Sequence, residues 1–162
     1  MTGGARITLD MFLKWCQAAR QNDLCQYHEG VVGRDRVNDP TLDEIADIAH
    51  LLSQTRYLRL SQMRVPGLTD DRCYLAIRTG TGFAPIAVLT GEMKARHHMA
   101  LNVLAHREPS LSAARALRAG LGIQEVIAQG IIRDLNSAGL LEEAPSRGWN
   151  VTDKARRLMR AA

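Results

Sequence analysis

SLSAARALRAGLGIQEVIAQGIIRDLNSAGLLEEAPSRGWNVTDKARRLM, residues 110–159, changes its hydrophobic period along its length. Ser110 can cap a short helix running to about Gly120, with Leu117 and Leu121 facing inward. The Leu121-Gly122 pair breaks that helix. A longer helix is expected over 124–138, with Ile127, Ala128, Ile131, Ile132 and Leu135 on its apolar face. Gly139 supplies a left-handed C-terminal cap, and Leu140 is placed to pack back on the helix. Residues 141–144 and 149–151 flank Pro145-Ser146-Arg147-Gly148, the pattern of a hairpin with a turn at its tip. Thr152 then caps a last helix. Its Val151, Ala155 and Leu158 face inward, and Lys154, Arg156, Arg157 and Arg160 face outward.

Upstream, 92–106 reads as a helix with Met93, Ala100, Val103 and Leu104 inward, ended before Pro109. Residues 79–92 hold Gly80, Gly82, Gly91 and Pro85 beside the apolar run Ile86 to Leu89, which marks a domain junction with room for one extra strand. The first half reads as helix 8–20, strand 24–29 closed by Gly30, and a stretch 31–40 that is either a short helix or a loop. Next comes a helix over 41–54, with Thr41 and Glu44 as a capping box and Leu42, Ile45, Ala49 and Leu52 as its buried stripe. Strands follow at 57–64 and 72–78. The first alternates Leu58 and Leu60 against Arg59 and Ser61; the second alternates Cys73, Leu75 and Ile77 against Arg72, Tyr74 and Arg78. That pattern predicts a hairpin with one apolar and one basic face. The expected class is α+β, mainly α, with domains at 1–80 and 92–162 joined by a linker at 81–91.

At 162 residues and 46% hydrophobic, the chain can build a core, and its 23% charged residues are near the globular average. It has no apolar run long enough to cross a membrane, and Met1 to Arg6 lack the core of a signal peptide. Cys16, Cys25 and Cys73 are odd in number and lack C-x-x-C spacing, so free thiols in a reducing cytoplasm are expected. Residues 1–80 carry 10 Lys+Arg and 10 Asp+Glu, whereas 81–162 carry 11 and 7, so the whole net charge of +4 lies in the second half. A basic half points to a polyanionic partner.

The order helix, helix, tight turn, helix, two-stranded wing, helix is that of a winged helix-turn-helix. The stretch from Ser110 to Met159 resembles the bacterial winged-helix regulators of the MarR and related families. The resemblance rests on RDLNSAGLL (Arg133 to Leu141) at the exit of the third helix and on WNVTDKARRL (Trp149 to Leu158) running from wing to last helix. It implies that helix 124–138 docks in the major groove of double-stranded DNA, with Gln124, Glu125, Gln129 and Arg133 facing the bases and Ser112, Arg115, Arg118 and Arg147 holding phosphates. It also implies a homodimer, to which the last helix contributes. The first half follows the same element order. It serves as a degenerate winged helix for dimerisation, a module for a protein partner, or a hairpin adding backbone contacts through Arg59, Arg72 and Arg78. QYHEGVVGRDR, Gln26 to Arg36, is faintly similar to small phage and prophage proteins, which favours a mobile-element regulator.

Two features point to a second expectation, a protein-binding adaptor or inhibitor. The third helix starts Glu125-Val126-Ile127, with Gly130 where a basic residue is common, and Asp43, Glu44 and Asp47 make an acidic outer face on helix 41–54. No catalysis, cofactor or metal is expected. His97 and His98 adjoin on a helix and diverge, which suits solvated or satisfied imidazoles better than ligands. Met63 shares the exposed hairpin face with Arg59 and suits an interface.

Overall fold

The structure, a computed structural model, describes residues 6–67, 71–108, 110–146 and 148–160. It is α+β and mainly helical, and it divides into two compact units, Met1–Ala84 and Pro85–Ala162.

In the first unit α1 (Leu9–Ala18), β1 (Leu24–Gly30), α2 (Val32–Asp35), α3 (Pro40–Gln54), β2 (Leu58–Arg64) and β3 (Arg72–Arg78) follow in order. The ambiguous segment after β1 is therefore a short helix. The Thr8 hydroxyl accepts from Met11 N at the start of α1. The expected Thr41/Glu44 capping box is replaced. Pro40 opens α3, its fixed φ suiting the first helical position, and the cap shifts two residues earlier to Asp39, whose carboxylate accepts from Thr41 N and Leu42 N. The stripe Leu42, Ile45, Ala49 and Leu52 is buried as expected, with Phe12 and Cys16 of α1 in the same unit.

The three strands form an antiparallel sheet in the order β1-β3-β2, with a bulge in β1 between Gln26 and His28. The register of the hairpin overturns the expected two-faced reading. Leu58 lies opposite Arg78, Leu60 opposite Ala76 and Gln62 opposite Tyr74. Residues opposite one another share a face, so the leucines of β2 sit with the even-numbered residues of β3. Leu60 and Tyr74 border one groove with Ala46 and His50, which puts this face toward α3. The other face carries Arg59, Ser61 and Met63 with Cys73, Leu75 and Ile77. Because side chains alternate with period 2, a one-residue change of register exchanges the faces of a whole strand.

The second unit comprises α4 (Ile86–Leu89), α5 (Ala95–Ala105), α6 (Ala113–Leu121), α7 (Glu125–Ser137), β4 (Leu141–Glu143), β5 (Trp149–Val151) and α8 (Asp153–Met159). The expected linker at 81–91 is thus part structure: Ile86–Leu89 is a short helix, not a strand, and Ala87, Val88 and Leu89 are buried. Leu101, Leu104, Leu117, Ile131, Ile132, Leu135, Leu141 and Ala155 fill one core. Ser112, not Ser110, caps α6 by accepting from Arg115 N. Gly120 is needed for close packing, since a Cβ there would lie 2.8 Å from Val103 Cγ2 on α5. After α7, Gly139 turns left-handed at φ 69°. Leu140 N donates to Leu135 O and Gly139 N to Asn136 O, a Schellman closure that leaves Leu140 buried. Ile127 departs from the expected apolar face of α7 and is exposed.

Candidate nucleic-acid interface

Three elements of the second unit converge on one cleft. Ser112 at the start of α6, Glu125 and Gln129 on α7, and Ser146 and Gly148 in the β4–β5 loop line a space of about 450 Å³. Its geometry depends on Arg107, a residue that sequence reasoning missed. From the α5–α6 connection Arg107 Nη1 donates to Leu111 O at 3.1 Å and Nη2 to Trp149 O at 2.7 Å, tying strand β5 to the approach to α6. A single arginine with no helical or strand periodicity around it gives no sequence signal for such a clamp.

Arg118, Glu125 and Gln129 are brought together. Arg118 Nη1 lies 3.3 Å from Glu125 Oε2, and Gln129 Nε2 donates to Glu125 Oε1 at 2.9 Å. The acidic residue that starts α7 is therefore partnered on both sides, and both members of the ion pair are about half exposed. Gln124 is the N-cap of α7 but makes no side-chain cap bond. Backbone N–H groups of the first turn are thus left without that partner, and such groups favour an anion. Arg115 and Arg133 are exposed and form no ion pair with any described residue. Arg133 stands one turn beyond Gln129 on the outward side of α7. Arg147, expected at the loop tip, lies outside the described residues.

The second expected basic patch is not one face. Arg59 points to the opposite side of the sheet from Arg72 and Arg78. Arg72 Nη1 donates to Gln62 Oε1 at 3.0 Å. Arg78 is half-buried: its guanidinium stacks 3.6 Å over the Tyr57 ring and donates to the carbonyls of Tyr57 and Thr79. It ties the end of β3 to the approach to β2 and offers little to a ligand.

The acidic face of α3 is also changed. Arg36, just after α2, bonds Asp43 Oδ1 at 2.7 Å and Asp47 Oδ1 at 2.6 Å, so two of the three carboxylates are neutralised within the unit. Asp35 accepts from His28, Val31 N and Arg34. The Arg34 bond first, then those from Val31 and His28, hold its carboxyl down at about 2. In the second unit His97 faces Asp134 at 3.7 Å. His98, expected to be solvated or satisfied, is buried at 7% exposure with no well-formed hydrogen bond to either ring nitrogen.

Among the described residues no cluster of His, Cys, Asp or Glu could hold a metal ion, and no helix is long and apolar enough to cross a membrane. Set against protein-family models, curated proteins and solved structures, the chain matches none.

Proposed function

We propose that the chain is a DNA-binding transcriptional regulator, cytoplasmic and of phage or mobile-element type, whose second unit is a winged helix-turn-helix similar to the MarR-like regulators. The first unit, with its order of helix, strand, short helix, helix and hairpin, is read as a second, winged-helix-like domain. The observation that carries the proposal is the cleft lined by the start of α6, by α7 and by the β4–β5 loop, with Arg118 paired to Glu125 of its lining and Arg115 and Arg133 exposed on the same two helices. In this reading α7 enters a major groove and the loop at 145–148 lies alongside. Gln129 and Arg133 face base edges, while Ser112, Arg115 and Arg118 meet phosphates. The module positions itself on DNA and performs no catalysis.

Titration of a fluorescent random-sequence duplex at about 50 and about 200 mM salt tests this, because phosphate contacts make affinity fall with salt. Arg133→Ala and Arg147→Ala should each weaken binding, and Arg147→Ala, as the loss of a phosphate contact, should also lower the salt slope by about 1. Unchanged isotherms for both variants would rule out this docking.

One observation favours a second reading, a protein-binding adaptor or inhibitor. Val126 and Ile127 at the start of α7 are 76% and 40% exposed. Apolar side chains at that place suit a protein surface better than a duplex. A wild-type chain without salt-sensitive duplex affinity selects the adaptor.

A further inference from the structure

The two edges of the first unit's sheet are built differently. The β1 edge is broken by its bulge between Gln26 and His28, which discourages pairing with another strand. The β2 edge has no such break. It runs seven residues with no bulge and no internal proline, and Arg59, Leu60, Gln62, Met63 and Arg64 are all exposed.

The ladder fixes which of its backbone groups are free. Thr79 N donates to Tyr57 O and Val65 N to Asp71 O, so odd-numbered residues from 57 to 65 bond to β3. The N–H and C=O of Leu58, Leu60, Gln62 and Arg64 therefore point away from the sheet, and none of these backbone groups bonds to a described residue. Beside this edge, β2 and α3 leave a groove of about 530 Å³ lined by Leu60, Gln62, Ala46 and His50.

We propose that this edge pairs with the same strand of a second copy of the chain, antiparallel and centred on Ser61, giving a continuous six-stranded sheet. The strand's own sequence argues for a second copy as the occupant. A two-fold axis at Ser61 sets Leu60 against Gln62 of the second copy and Leu58 against Arg64, matching outward-facing backbone to outward-facing backbone across all seven residues. Roughly eight N–H···O bonds result. It also sets Arg59 against Met63, so no arginine meets an arginine, and like charges directly opposite are the pairing a sheet avoids. Centring on Leu60 would instead bring Arg64 against Arg56. Leu60 and Met63, 36% and 55% exposed, gain cover, and the inward side chains of the added strand enter the groove beside α3. The pairing does not depend on what the second unit binds.

Sedimentation of the full chain tests the proposal without DNA. The wild type should sediment as a dimer of twice 17.9 kDa. Ser61→Lys and Ser61→Glu each place like charges across the axis and should weaken association roughly fivefold or more. Mixing the two variants should restore the dimer, an outcome that misfolding cannot imitate. Gln62→Pro removes an outward N–H while leaving the ladder to β3 intact, and it should give a monomer with unchanged circular dichroism. At the axis the Cα atoms would stand about 4.5 Å apart, within the disulfide range of about 4.4–6.8 Å. Ser61→Cys should therefore cross-link on mild oxidation where the wild type, with its three native cysteines, does not. A monomeric wild type overturns the proposal, as does a dimer that neither charge at position 61 weakens.

Discussion

His98 is held on α5 at 7% exposure, and its ring nitrogens find no well-formed hydrogen bond, although the Met159 carbonyl lies near enough to favour the cation slightly. Burial dominates and lowers its pKa from the ordinary 6.5. His97 shifts the same way, also through burial, against an opposing pull from Asp134. The native state therefore binds fewer protons than the unfolded chain just below pH 6.5. Stability is complete above that value and falls as the pH drops toward the folded-state pKa. Urea midpoints at about pH 7 and about pH 5 should show a loss that His98→Leu reduces; equal losses in both proteins would remove His98 as the cause. A second residue-scale test concerns Asp39. Its carboxylate satisfies two backbone donors of α3, so Asp39→Ala should cost about 1 kcal/mol by the same measurement, whereas Thr41→Val should cost much less.

Along α7, exposure separates residues that look alike in the sequence. Ile127 belongs to the helical stripe by spacing yet is exposed, while Ile131 one turn later is buried at 5%. Ile131→Ala should destabilise by about 2–5 kcal/mol through its cavity, and Ile127→Ala by about 0.5 kcal/mol or less, as read from urea denaturation. A large loss at Ile127 would mean that it is covered. The first turn of a helix can protrude past the core it packs on, and helical period cannot register that. The existence and type of α3 and α7 were legible because both repeat apolar residues at 3.6-residue spacing and Gly139 marks a stop. Register was not. Whether Leu58 meets Arg78 or its neighbour depends on how the connection between β2 and β3 closes, and composition leaves either choice open. The same limit hid the separation of Arg59 from Arg72 and Arg78. It also hid the Arg36 clamp on Asp43 and Asp47, an interaction spanning 7 and 11 residues with no period of its own. Of the expected contact residues, Arg118, Glu125 and Gln129 do form one cluster, because turn and helix phase were both readable there.

At the scale of the whole chain, the division at Ala84 and Pro85 coincides with a division of charge. Residues 1–84 carry 10 Lys+Arg and 10 Asp+Glu, and residues 85–162 carry 11 and 7, so the second unit holds the entire net +4. Charge that neutralises phosphate sets the salt slope, so duplex affinity under the proposed function belongs to the second unit. That unit has its own core, running from Ala87 to Ala155. A fragment of residues 85–162 should therefore bind a short duplex with the salt slope of the full chain, and a fragment of residues 1–84 should show no salt-sensitive binding. A duplex of about 12 base pairs, little more than one helical turn, offers room for a single docked module, so dimerisation through β2 does not enter the comparison. On longer DNA the two properties combine. A dimer that can engage two sites at once gains from effective concentration, and the full chain should then exceed the fragment in affinity, while Ser61→Lys brings it back to the fragment's value. If residues 1–84 bound the short duplex as well as the full chain does, the neutral unit would be the reader and the assignment of DNA contact to α7 would be wrong.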